Sequence, residues 1–157
     1  MQKFFIVLSL IFLFFVDCQN AKKASSNLSQ DTETKEKFII GVISDDEAKL
    51  GSGCLISYYE KGKEKQGNIF VSGSDSDFNT GWIAYIKIDG KLEKLHEISE
   101  LPESSVFENE NFKVRENTRT ISNSEESDTW NSVGTLTIIN KKTGEAITLK
   151  IEGGGAC

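Results

Sequence analysis

From Phe38 onward the chain alternates short apolar runs with charged or glycine-bearing turns, and few of the runs repeat at helical spacing. Residues 38–43 (FIIGVI) are apolar and rich in β-branched side chains, which predicts a first strand buried on both faces. Asp45, Asp46 and Glu47 mark a surface loop. Gly51-Ser52-Gly53 leads into residues 54–59 (CLISYY), and residues 68–72 (NIFVS) return after the charged connection 61–65. Aromatic and β-branched content makes this pair a hairpin with a long loop.

Residues 82–89 give the most regular alternation. Trp82, Ala84, Ile86 and Ile88 share one face, while the opposite face runs Ile83, Tyr85, Lys87, Asp89 and becomes polar along its length. Asp89-Gly90 then predicts a tight hairpin turn. Residues 91–101 are ambiguous: Leu92, Leu95, Ile98 and Leu101 recur every three residues, as in a short helix, but the preceding turn favours a strand start. Pro102, the only proline, ends the segment. Residues 105–108 and 112–120 read as further strands, the second with Phe112 and Val114 inward against Lys113 and Arg115. Residues 122–128 (SNSEESD) read as a polar loop. After Trp130 comes the clearest hairpin, residues 133–157. Leu136 and Ile138 share a face on one arm, and Ile147, Leu149 and Ile151 on the other. Thr135, Thr137, Thr148 and Lys150 point away, and Gly144 takes the left-handed turn position.

About eight short strands, turn signals every eight to twelve residues and no long helix predict an all-β domain, a small antiparallel barrel or sandwich. The chain has 157 residues, which after an N-terminal signal leaves one domain and a tail.

That signal is residues 1–17. Residues 4–16 are all apolar except Ser9, a run shorter than the about 20 residues a bilayer span needs. Cys18 follows, and then the polar stretch QNAKKASSNLSQDTETKEK. This order resembles a bacterial lipoprotein signal, in which the cysteine becomes the lipidated first residue; Asp17 stands where that pattern has a small residue. The resemblance implies a lipid-anchored protein of the bacterial cell envelope, on the periplasmic side or the cell surface. Residues 18–37 hold few apolar and no aromatic side chains, so they read as a flexible tether to the β-domain, residues 38–157. Whether Cys18 is lipidated or removed, Cys54 and Cys157 remain as one pair in an oxidising compartment, and a bridge between them would close the domain. Gly153-Gly154-Gly155 is expected to give Cys157 the freedom to swing back onto a strand.

The net charge is −6 and no basic block breaks the sequence, so nucleic acid is not an expected partner. An acidic face suits a cationic protein partner. Chemistry is sparsely signed. His96, the one histidine, has no nucleophile motif beside it and reads as a surface residue rather than a general base. No zinc set or catalytic set can be assembled, so no enzyme and no cofactor is expected. Asp75, Asp77 and Asn79 place oxygen ligands at alternate positions, as at the start of a calcium loop, but Gly81 comes one position late and Ile86 stands where that loop needs a glutamate. The same residues also read as plain turn chemistry. Trp82 and Trp130 are expected to fill the core, with recognition aromatics as the alternative. Tyr58 and Tyr59 put one ring on each face.

Cys54 in an early strand, the run Ala84-Tyr85-Ile86-Lys87-Ile88-Asp89-Gly90 with Leu95 beyond it, and the terminal Cys157 together resemble the membrane-bound inhibitors of C-type lysozyme. That family consists of small envelope lipoproteins with an antiparallel β-barrel. The resemblance spans residues 53–157 and implies the barrel. Those inhibitors insert a loop with serine and lysine into the lysozyme cleft; here Ser127, Asp128, Trp130 and Gly134 occupy the corresponding stretch, which has no lysine. The expected function is therefore a non-enzymatic envelope lipoprotein acting as a binding or structural module. Inhibition of a cationic hydrolase such as lysozyme, through the acidic residues 75–77 and 125–128, is the alternative.

Overall fold

Nine strands follow the alternation. They are β1 (Ile40–Gly41), β2 (Leu50–Glu60), β3 (Phe70–Asp75), β4 (Trp82–Ile88), β5 (Lys91–Leu101), β6 (Ser104–Glu108), β7 (Phe112–Ser124), β8 (Thr129–Asn140) and β9 (Ala146–Ala156). The computed structural model describes residues 37–75, 81–101 and 104–157, within the compact unit Lys35–Cys157. From β2 to β9 each strand pairs antiparallel with the next, and β9 returns to pair with β2. The result is a closed eight-stranded up-and-down barrel, so the choice between barrel and sandwich falls to the barrel. Closure leaves no long unpaired edge.

The ambiguous segment 91–101 is strand throughout. Its register pairs Ala84 with Leu95 and Ile86 with Glu93, carrying β5 alongside β4 from the hairpin turn. The turn itself has positive φ at both Asp89 (50°) and Gly90 (79°), the geometry that Asp-Gly favours. Two expectations about strand extent are corrected. Residues 38–43 are not buried on both faces: only Ile40 and Gly41 pair with β4, and Ile39 and Val42 are exposed while Phe38 and Ile43 are buried. The stretch 122–128 is not all loop, because β7 continues to Ser124 past a bulge at residues 120–122. Asn131 Nδ2 donates to Ser122 Oγ across that extension, and the turn is confined to residues 125–128.

An eight-stranded barrel is just wide enough for side chains to fill it. Here Phe70, Phe107, Ile86, Leu95, Val114, Leu136, Ile138 and Ile151 meet in one apolar cluster, with Phe70 edge-on to Phe107. Phe38 joins from the tight-turn end, where its ring meets Phe112. Asp89 fixes that arrival in both directions: its amide donates to Ile39 O and its carboxylate accepts from Ile39 N. A second cluster, Ile43, Val71, Ile83 and Tyr85, lies on the outward side of β3 and β4 under residues 43–50. Glu47 anchors this flap. It accepts from Lys87 Nζ at 2.6 Å and from the amide and hydroxyl of Ser44. The lysine, then the Ser44 bonds, hold its carboxyl at about 2. Its folded value is depressed, so this clasp persists above the ordinary carboxylate range and is lost only as pH falls toward 2.

The seam where β9 meets β2 is the distinctive part. Cys54 and Cys157 form the expected disulfide, bridging 103 residues of chain. The three glycines before it are not a loose swivel; they are paired strand residues, held between β2 and β8. Their role is close approach. A Cβ on Gly153 would sit 2.9 Å from Tyr58 Cα, one on Gly154 would strike the backbone of Trp130, and one on Gly155 would occupy the place of the Trp130 ring. Replacing Cys54 and Cys157 together by serine should lower the unfolding free energy by about 3–5 kcal/mol, the cost of a free loop of that length. Urea denaturation of the oxidised chain against the double variant checks this, and coincident midpoints would contradict it.

Candidate functional site

Two carboxylates on inward strand positions are buried among the described residues: Glu93, held by Lys91 and Asn109, and Glu116. Along β7 the alternation Phe112, Val114, Glu116, Thr118 brings Glu116 onto the inward face. There the Tyr58 hydroxyl donates to Glu116 Oε1 at 2.7 Å and the Thr118 hydroxyl at 3.2 Å. Burial raises the Glu116 pKa, with the charge of Glu97 adding to the effect, while the two hydroxyls act against it. Burial, then the facing carboxylate, pushes the Tyr58 hydroxyl up as well, so it remains protonated as a donor. Ser72, fully buried on β3 between Ile56 and Ala84, has no hydrogen-bond partner for its hydroxyl among the described residues. Both tyrosine and carboxylate are buried, so the pair acts as an internal polar clasp between β2 and β7.

The residues singled out from the sequence are scattered. His96 is exposed on β5 opposite Ile83 and Glu108. Asp75 is buried at the end of β3, where its Oδ2 accepts from Lys94 Nζ at 2.9 Å. Asp77 and Asn79 lie outside the described residues, as do Cys18 and Pro102. No three His, Cys, Asp or Glu side chains converge among the described residues. Trp82 packs half-buried against the main core, and Trp130 lays its ring over Gly155. Tyr58 is the buried ring of its pair and Tyr59 the outer one.

The outer face of β5 to β9 is different in kind. Residues two apart on a strand share a face about 7 Å apart, so Lys113, Arg115, Asn117 and Arg119 form a row along β7. Cross-strand register sets Asn117 beside Thr135 and Ser104, and Thr135 beside Lys150. Lys61, bonded through its amide to Lys150 O, extends that line. Lys61, Asn117, Arg119, Thr135 and Lys150 line an open groove of about 620 Å³, with Gly134, Ile151, Leu101 and Val133 completing its wall. A second depression continues from it past Ile98, Val106, Lys113 and Arg115. Lys61 is neutralised by Glu152 at 2.7 Å, but Lys113, Arg115, Arg119 and Lys150 have no ion pair among the described residues. Beside them Leu101 and Ile98 are 61% and 52% exposed.

The sequence places Lys113 and Arg115 on the outward side of residues 112–120, but that Lys150 and Leu101 join them depends on register across several strands. The signal was present in the alternation Lys113, Arg115, Asn117, Arg119, once β7 is taken as a half-buried strand. No protein-family model, curated protein or solved structure matches the chain, so the functional reading rests on this geometry.

The clasp makes a prediction about stability. Tyr58→Phe should cost about 1–3 kcal/mol, since it strips a buried carboxyl of its main donor. The pH dependence has a definite sign. Because the folded Glu116 value is raised above the unfolded one, the stability it contributes is complete below about pH 4.3 and is lost as pH rises through the folded value. The stability of Glu116→Gln relative to the native chain should therefore rise from pH 4 toward neutrality. Urea midpoints measured across that range check it, and a constant difference would refute it.

Proposed function

We infer that the chain is an exported, non-enzymatic lipoprotein, held at a membrane through Cys18 and residues 18–37, which binds its partner on the outside of the barrel. The observation that carries this reading is the contrast between the two sides of the wall. Inside, apolar side chains and a satisfied carboxylate fill the space. Outside, four cations without ion pairs among the described residues, Arg119 and Lys150 in the open groove and Lys113 and Arg115 in the depression beside it, stand next to exposed aliphatic side chains. A surface that leaves charge and apolar area uncovered together is the kind that partners cover. Residues 37–39 arrive at the tight-turn end of the barrel, leaving the outer face of β5 to β9 unobstructed by the described part of the approach. Mass spectrometry of the membrane fraction tests the anchor. A diacylglycerol-modified Cys18 is expected, and Cys18→Ser should move the protein out of that fraction; an unmodified Cys18, or its absence from the mature protein, overturns the reading.

One observation favours a second reading, inhibition of a cationic hydrolase such as lysozyme. Glu125, Glu126 and Asp128 form an exposed turn at the disulfide end, where Asp128 O accepts from the Cys157 amide. Titration against lysozyme separates the two. The first reading expects no inhibition at micromolar protein; inhibition abolished by Glu125→Gln, Glu126→Gln and Asp128→Asn together would establish the second.

A further inference from the structure

We propose that the outer face of β5 to β9 docks on the anionic headgroup layer of the membrane that carries the chain, so that the barrel lies on its side against the lipid surface. This deepens the anchored-module reading and rests on it. Three features of the face select this occupant. First, Lys113, Arg115, Arg119 and Lys150 are one-signed and carry no ion pairs among the described residues, so an anion complements them. Second, Ile98 and Leu101 project beside them, and aliphatic side chains flanked by cations suit the boundary between phosphates and acyl chains.

The third feature is the charge of the rest of the molecule. With a net charge of −6, an acidic chain wrapping the barrel would meet mainly like charge. A planar surface touches one side only, where Glu108 and Glu152 are each paired to a lysine and the four cations are left in excess within a screening length of about 8 Å. Reach is not limiting: the 20 residues 18–37 extend to about 65 Å, against about 35 Å for an 11-residue strand such as β9.

The test uses the full chain in lipid nanodiscs of phosphatidylcholine, with or without phosphatidylglycerol, doped with a gadolinium-chelating lipid, and reads amide relaxation by NMR. On anionic discs, amides of Arg115, Arg119 and Lys150 should relax faster than those of Val71 and Ile83 on the covered opposite face. The contrast should vanish on zwitterionic discs and in 1 M salt, where the screening length is about 3 Å. Arg115→Glu, Arg119→Glu and Lys150→Glu together should lower the docked population by on the order of a hundredfold, at about 1 kcal/mol per cation removed. Circular dichroism establishes that this variant folds, and should it not, Arg115→Gln with Lys150→Gln must still reduce the contrast.

Uniform relaxation on anionic discs overturns the docking while leaving the anchor intact; failure to associate with either disc overturns both. Shifts of the same amides with glycerol phosphate or with polyglutamate, but not with anionic discs, would reassign the face to a small phosphate ligand or an acidic protein and so overturn the proposal.

Discussion

Closing β9 onto β2 is the constraint on which the rest of this molecule depends. An up-and-down barrel is made of neighbours in sequence, except at one seam where the last strand must find the first across 103 residues of chain. That contact carries the largest loop-closure entropy in the fold. The protein meets the cost with two devices at the same place. The Cys54–Cys157 bridge removes much of the entropy from the unfolded chain, and Gly153, Gly154 and Gly155 let three strands approach more closely than any side chain would allow. The Trp130 ring then fills the space left over Gly155, so the seam is packed as well as linked.

Closure limits what the interior can hold. Once the wall is complete, every inward residue competes for a volume that Phe70, Phe107, Leu136 and their neighbours already occupy. A carboxylate survives there only because Tyr58 and Thr118 bring hydroxyl donors to it. Even so its charge is disfavoured, and Ser72 holds a hydroxyl with no described partner. These are costs of a core that is not wholly apolar, each of about 1–3 kcal/mol when a buried group lacks its bond.

Much of the fold was legible because strands half-buried in a barrel wall must alternate. Residues 82–89 and both arms of 133–157 have their faces where the alternation puts them, and Asp89-Gly90 turns as that dipeptide should. What failed were positions where tertiary contact overrides local chemistry. The triple glycine reads as freedom in isolation and is close packing in the fold. Ser122 and Asn123 read as loop, yet they extend a ribbon whose exposed faces tolerate polar side chains. Phe38 to Ile43 reads as a doubly buried strand, yet it only crosses the barrel wall, burying its two ends. The candidate site was least legible, because it belongs to no single segment: Lys150 and Arg119 become neighbours only through β8.

Net charge does not show where charge sits, for a related reason. A sum over the chain treats each charge as independent, whereas in the folded protein much of the positive charge is already committed. Lys61, Lys63, Lys87, Lys91, Lys94 and Lys141 each have an acidic partner within 4 Å. Such pairs are short dipoles whose fields fade within a few ångströms in salt water. The cations that still act at a distance are the remainder, and register gathers Lys113, Arg115, Arg119 and Lys150 on one side of the wall. An acidic protein can therefore present a basic face, and its sign at contact is set by strand pairing rather than by composition.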